Sequence, residues 1–133
     1  MKILITIVLL STLIGTSIRP VNAEAPQRSI SEYSVSELIT HYTTLYGSSE
    51  REIRLVGVCE SGLRQVTNPN DGGSPSIGMF QYKVGTWARY SKLLGEELDI
   101  NSPHDQIKLT SFIFAEHPKE KRAWTCSKIT GII

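Results

Sequence analysis

Residues 50–62 read Glu50-Arg51-Glu52-Ile53-Arg54-Leu55-Val56-Gly57-Val58-Cys59-Glu60-Ser61-Gly62. The stretch opens with acidic residues behind Ser48 and Ser49, which suits the positive end of a helix. Beyond Arg54 it is apolar nearly all round, the pattern of a central buried helix, and Ser61-Gly62 ends it. Gly57 lowers helix propensity and leaves room for a neighbour or a ligand. Glu60 is the odd member, because a charged group is costly to bury unless paired or protonated. Gly57, Val56 and Ile53 share its face, so its carboxylate is expected to emerge from an apolar stripe at the edge of a groove. Desolvation and the negative end of the helix dipole would both raise its pKa. A carboxyl group kept protonated near neutral pH can give a proton to a departing glycosidic oxygen. The competing reading is a surface ion pair with Arg64, four residues on.

Outward from this segment the chain reads as helical. Ser34-Val35-Ser36-Glu37 is a capping box. Val35, Leu38, Ile39, Tyr42, Leu45 and Tyr46 follow at helical spacing and Gly47 stops them, which predicts an amphipathic helix. A further helix is predicted from Val84 to Leu94, with Val84, Trp87, Ala88, Ser91 and Leu94 on one face and Gly95 closing it. Another begins at Ser102-Pro103 and runs to about Glu116, with Ile107, Ser111, Phe114 and Ala115 aligned. Residues 64–77 hold a cluster of turn formers, Asn68 to Pro75. No alternating strand and no internal repeat is evident. The expected fold is therefore mainly α, a small helical domain with a substrate groove, over residues 34–133, preceded by a flexible segment at 24–33.

Residues 1–23 read as a secretory signal: Lys2, an apolar run from Ile3 to Ile18, and Val21-Asn22-Ala23 before Glu24. An uncleaved membrane anchor is the alternative. Cleavage would remove Lys2 and Arg19 and no acid, taking the formal charge from +1 to −1. A near-neutral chain lacks the basic footprint of a nucleic-acid binder. The two cysteines, Cys59 and Cys126, both lie in the exported part, where a disulfide is the simplest reading. It would close a loop of more than sixty residues, worth roughly 4 kcal/mol in the chain-entropy model. The alternative is two buried free thiols. Two cysteines and scattered histidines make a poor zinc site, so neither a metal nor another cofactor is expected. His41, His104 and His117 show no spacing that suggests catalysis.

Glu60-Ser61-Gly62, a polar stretch, Ser76-Ile77-Gly78-Met79-Phe80-Gln81, then Thr86-Trp87 resemble the soluble lytic transglycosylase domain, with the lysozyme-like fold shared with goose-type lysozymes. The match covers about residues 48–126. The resemblance implies that Glu60 is the acid/base, that Ser61, Gly78 and Gln81 are the motif's serine, glycine and glutamine, and that the substrate is the peptidoglycan glycan strand. Ser61, Ser76, Gly78, Gln81 and Trp87 are the expected substrate contacts. Gly78 would let the backbone approach a sugar, and the Gln81 amide suits hydroxyl or acetamido groups. Trp87 offers a face for stacking, although its helical spacing equally fits core packing. Met79 and Phe80 are expected in the core, Ser61 either beside Glu60 or as a cap, and Trp124 against the disulfide. Tyr82 and Tyr90 are weaker sugar-binding candidates.

A hydrolase of the inverting kind needs a second carboxylate to activate water, and Asp71 is the candidate, although Asp before Gly72-Gly73 is also ordinary turn chemistry. Asp99 and Asp105 read as loop and helix-start residues. A lytic transglycosylase needs one carboxylate. In that family the glutamate protonates the leaving oxygen, then acts as base while the muramic acid's own primary hydroxyl closes an anhydro ring. The expectation is a secreted or periplasmic monomeric transglycosylase, with a lysozyme using Glu60 and Asp71, or a non-catalytic glycan-binding module, as alternatives. A structural domain with Glu60 in an ion pair is a further one. No counterpart is placed for the downstream tyrosine of many longer members. Substrate grip is thus expected to be weak or supplied by a partner, in the cell wall or a secretion apparatus.

Overall fold

The computed structural model describes residues 28–133, so the signal sequence expected at 1–23 lies outside the described residues. Five α-helices and one hairpin make up the domain: α1 Val35–Tyr46, α2 Glu50–Ser61, β1 Thr67–Asp71, β2 Ser74–Ile77, α3 Val84–Leu94, α4 Pro103–Glu116 and α5 Thr125–Ile129. The fold is mainly α, as the spacing of apolar residues predicts. Local chemistry sets the helix ends. The Glu37 backbone N–H donates to Ser34 Oγ while the Ser34 N–H donates to the Glu37 carboxylate, closing the capping box. Ser49 and Ser102 cap α2 and α4, and Gly47, Gly62 and Gly95 end α1, α2 and α3 in the left-handed region.

Four expectations are corrected. First, the flexible segment at 24–33 is partly ordered: Ile30–Glu32 form a 3-10 turn capped by Ser29, and Arg28 pairs with Glu37 at 2.7 Å. Second, the turn-forming stretch contains an antiparallel hairpin, β1 paired with β2. Its strands carry Pro69 and Pro75, and β1 is exposed along its whole length, so no alternation marks it in sequence. Third, the central helix is α4. In α2, Ile53, Val56, Gly57 and Ser61 are buried while Val58 is 57% exposed. On α4, Gln106, Ile107, Leu109, Thr110, Ser111, Ile113 and Phe114 are all buried. α4 packs against α1 and α3, and against a second 3-10 turn, Pro118–Ala123. The face of α3 is also rotated from expectation: Trp87, Tyr90 and Ser91 are buried, while Val84 is exposed.

Thr43, Ser61, Ser76, Gln106 and Thr110 are buried and hydrogen-bonded, whereas the buried hydroxyls of Ser91, Ser111 and Ser127 have no partner among the described residues. Tyr42 of α1 bonds its hydroxyl to His104 Nε2 at 2.6 Å, and His104 Nδ1 bonds Asp105 at 2.7 Å, tying α1 to the start of α4. Gln106, with no exposed surface, has the larger role. Its Oε1 accepts the Phe80 N–H at 3.1 Å, and its Nε2 donates to Ile77 O at 3.0 Å and Ile100 O at 2.6 Å. The loop between β2 and α3 is thereby hung from the central helix.

Cys59 of α2 and Cys126 of α5 form the expected disulfide, with a Cα–Cα distance of 5.8 Å. α5 is only five residues long, too short to be stable on its own, so the bond and the burial of Cys126 and Ser127 fix it against α2. Among the described residues, no helix is long and apolar enough to cross a membrane. Replacing both cysteines by alanine is expected to lower the unfolding free energy by about 4 kcal/mol, read from denaturant midpoints. Gly78→Ala is expected to cost about 2–4 kcal/mol in the same assay. A Cβ there would stand 1.8 Å from Gln106 Nε2, at a φ of +82°.

Candidate active site

A cleft of about 240 Å³ opens beside the end of α2. Glu60 lines it from α2, Asp71 and Ser76 from the hairpin, Gln81, Tyr82 and Lys83 from the loop before α3, Thr86 from the first turn of α3, and Ala123, Trp124 and Thr125 from the segment before the second cysteine. Glu60 takes part in no ion pair among the described residues, and Arg64 turns its Nε to Ser61 O at 3.1 Å instead. The surface-pair reading of Glu60 is therefore not what the fold builds. The carboxylate is partly buried and accepts one backbone N–H, from Cys126 at 3.4 Å. Its pKa is raised, chiefly by loss of solvent and also by the negative charge of Asp71, against the opposing pull of the Cys126 N–H.

Asp71 is in the opposite state. Its Oδ2 accepts the Ser76 hydroxyl and pairs with Lys83 Nζ at 3.0 Å. The Ser76 bond and the Lys83 ammonium hold its carboxyl below the usual range. Asp71 also fulfils its turn role, since Gly72 and Gly73 after it both have positive φ (+62° and +86°), the two-residue hairpin geometry that glycine allows. Turn chemistry and a place in the cleft thus coincide in one residue.

The other expected substrate contacts divide. Ser76 and Gln81 line the cleft. Gln81 sits at φ +50°, uncommon for a residue with a side chain, and its Nε2 donates to Gly78 O at 2.7 Å and Val66 O at 3.1 Å. Its amide nitrogen is spent on holding the loop, which leaves its carbonyl oxygen for a ligand. Ser61 is buried away from the cleft, where its hydroxyl donates to Met79 O at 2.8 Å and accepts the Arg64 N–H at 3.1 Å. It joins the end of α2 to the loop before α3. Gly78 has Gln106 packed against the place a Cβ would take. Trp87 is buried and gives its indole N–H to Leu98 O at 3.3 Å, so it belongs to the core. Met79 and Phe80 are buried, as expected. Tyr82 reaches the cleft wall, but its hydroxyl bonds Thr110 at 2.8 Å in the interior. Tyr90 is fully buried.

Trp124 lines the cleft instead of merely covering the disulfide. Its indole N–H donates to Phe80 O at 2.9 Å and its ring stacks on Tyr90 at 5.9 Å. Sequence reasoning passed over Lys83 and Thr125, and named Thr86 only as part of the resemblance. For residues 123–125 a signal existed: a disulfide from Cys59 to Cys126 necessarily sets the residues before Cys126 beside Glu60. For Lys83 there was none, because an isolated lysine in a polar stretch is ordinary. Among the described residues, no group of three or more His, Cys, Asp or Glu is placed to hold a metal ion.

Comparison with family models finds no match, and comparison with curated proteins and with solved structures finds no significant one. The chemistry open to the cleft follows from its own groups: one carboxyl group biased to keep its proton, one biased to lose it, and an ammonium beside the second. Asp71→Asn removes the negative charge facing Glu60, so the Glu60 carboxyl is expected to titrate at lower pH than in the wild type. A carbon-detected NMR titration of the glutamate side chains reads that shift.

Proposed function

We propose that the protein is a secreted or periplasmic lytic transglycosylase that cleaves peptidoglycan between N-acetylmuramic acid and N-acetylglucosamine. One observation carries the reading: a single cleft holds two carboxyl groups whose surroundings push their pKa values in opposite directions, Glu60 up and Asp71 down. Such a pair assigns the roles of acid and permanent anion. Glu60 keeps a proton to give to the leaving oxygen. Asp71, ionised, stabilises the positive charge that develops on the sugar ring. The residues at 1–23 supply the export signal, and the disulfide suits an oxidising compartment.

The choice between transglycosylase and hydrolase turns on Asp71. A general base needs an accessible lone pair and a pKa near the working pH. Asp71 has its Oδ2 engaged by Ser76 and Lys83, and its pKa is lowered, so it is a poor base. That favours Glu60 performing both proton transfers, with the substrate's own hydroxyl as nucleophile. The hydrolytic alternative draws its support from the same fact that Asp71 lines the cleft with Glu60.

Glu60→Gln is expected to lower release of muropeptides from purified peptidoglycan roughly 10²–10⁴-fold, while circular dichroism and glycan binding stay near wild type. Products with anhydro ends support the transglycosylase, and products heavier by one water support the hydrolase. Strand binding without any release would identify a glycan-binding module instead. The wild-type activity is expected to fall as pH rises through the Glu60 pKa, because the proton needed for the first transfer is then lost. That limb lies above the ordinary glutamate value of about 4.3.

A further inference from the structure

We propose that Lys83 is the positioning residue of this cleft: its ammonium clamps both ends of the hairpin turn and holds the Asp71 carboxylate toward Glu60. The inference rests on the glycosidase reading above for its consequence, but its geometry stands apart from it. Lys83 Nζ donates to Asp71 O and, at 2.7 Å, to Ser74 O, the two carbonyls flanking Gly72-Gly73, and pairs with Asp71 Oδ2 at 3.0 Å. Three acceptors match the three protons of an ammonium group. An exposed lysine–carboxylate pair is ordinarily worth little. Here the same cation also ties down two backbone carbonyls across a turn.

The hairpin needs such a tie. A two-stranded hairpin alone is marginal in water. β1 is exposed throughout, the pairing has an irregularity between Asn68 and Asp71, and a Cβ at Gly72 or Gly73 would meet no atom within 4 Å. No packing at the tip therefore aims Asp71. The fastening points are Ser76, which is buried, and Lys83. Lys83 is the N-cap residue of α3, and its carbonyl accepts the Trp87 N–H at 2.9 Å. Its backbone is thus anchored to the helix, and the hairpin hangs from its side chain. The ionisable groups around Asp71 are Lys83 from the start of α3, Glu60 from α2, and Tyr82, whose hydroxyl is turned to Thr110.

The test compares wild type, Lys83→Met and Lys83→Arg in the full exported chain. In Lys83→Met the Asp71 carboxyl is expected to titrate at higher pH than in wild type, by carbon-detected NMR, and amide exchange at residues 70–75 is expected to quicken. Lys83→Arg, which keeps a cation, is expected to restore the titration in large part. On peptidoglycan, Lys83→Met is expected to lower kcat about ten- to a hundred-fold with little change in KM. Its high-pH limb is expected to move down, because the Asp71 charge that raises the Glu60 pKa is no longer held toward it. An Asp71 titration and hairpin exchange identical to wild type would overturn the clamp. Unchanged kcat with a displaced titration would overturn its role in turnover. Wild-type protein that releases no muropeptides would instead refute the glycosidase reading, and the titration would still decide the clamp.

Discussion

The buried amide of Gln106 is the interaction on which the arrangement of the cleft depends. Its three hydrogen bonds satisfy the buried Phe80 N–H and reach the Ile77 and Ile100 carbonyls, which also accept from the Tyr82 N–H and the Gln65 amide. The loop from Ile77 to Tyr82 is closed on itself by reciprocal backbone bonds between those two residues, 2.9 Å each. Gln106 then fixes where the closed loop sits relative to α4. Because Gly78 has no side chain, the amide can approach the loop as closely as it does. The glycine, the strained Gln81 and the buried Gln106 are therefore three parts of one constraint.

Two other links bring the acid to that loop. Ser61 bonds Met79, so the end of α2 is stitched to the loop one residue beyond Glu60. One residue before Glu60, the disulfide draws in Cys126, whose backbone N–H meets the Glu60 carboxylate. Gly57 completes the fit: Leu63 and Phe80 occupy the space a Cβ would need. The carboxylate is thus surrounded by covalent and hydrogen-bonded fastenings while its own partner is a single N–H. Partial burial without a cation is what raises its pKa.

The electrostatics of the cleft arise from unequal solvation and unequal pairing. Glu60 loses water and gains little in return. Asp71, at an exposed hairpin end, gains a hydroxyl and an ammonium. The two environments reinforce each other, since an ionised Asp71 makes ionisation of Glu60 harder still. Neither effect needs a large distortion of the fold, only a hairpin and a helix end facing one cleft.

Much of this was legible in the chain. Caps at Ser34, Ser49 and Ser102 and stops at Gly47, Gly62 and Gly95 mark helix ends, because capping is a contact between residues a few positions apart. Glu60 stood out because a carboxylate beside an apolar run is energetically conspicuous wherever it occurs. The hairpin was not legible, since Pro69 and Pro75 break any alternation. Gln106 was not either: a glutamine in a helix signals nothing until the loop it bonds, more than twenty residues earlier, is placed against it. The same holds for Ser61 and Trp87, whose chemistry suited sugar and whose surroundings made them core. The sequence by itself determined the four longer helices, offered the disulfide and singled out Glu60 as an unusual carboxylate, because those depend on local spacing or on the pairing of two cysteines. Only the tertiary structure decided which polar residues face the cleft and that Asp71 shares it with Glu60, because burial and charge pairing are set by contacts between distant segments.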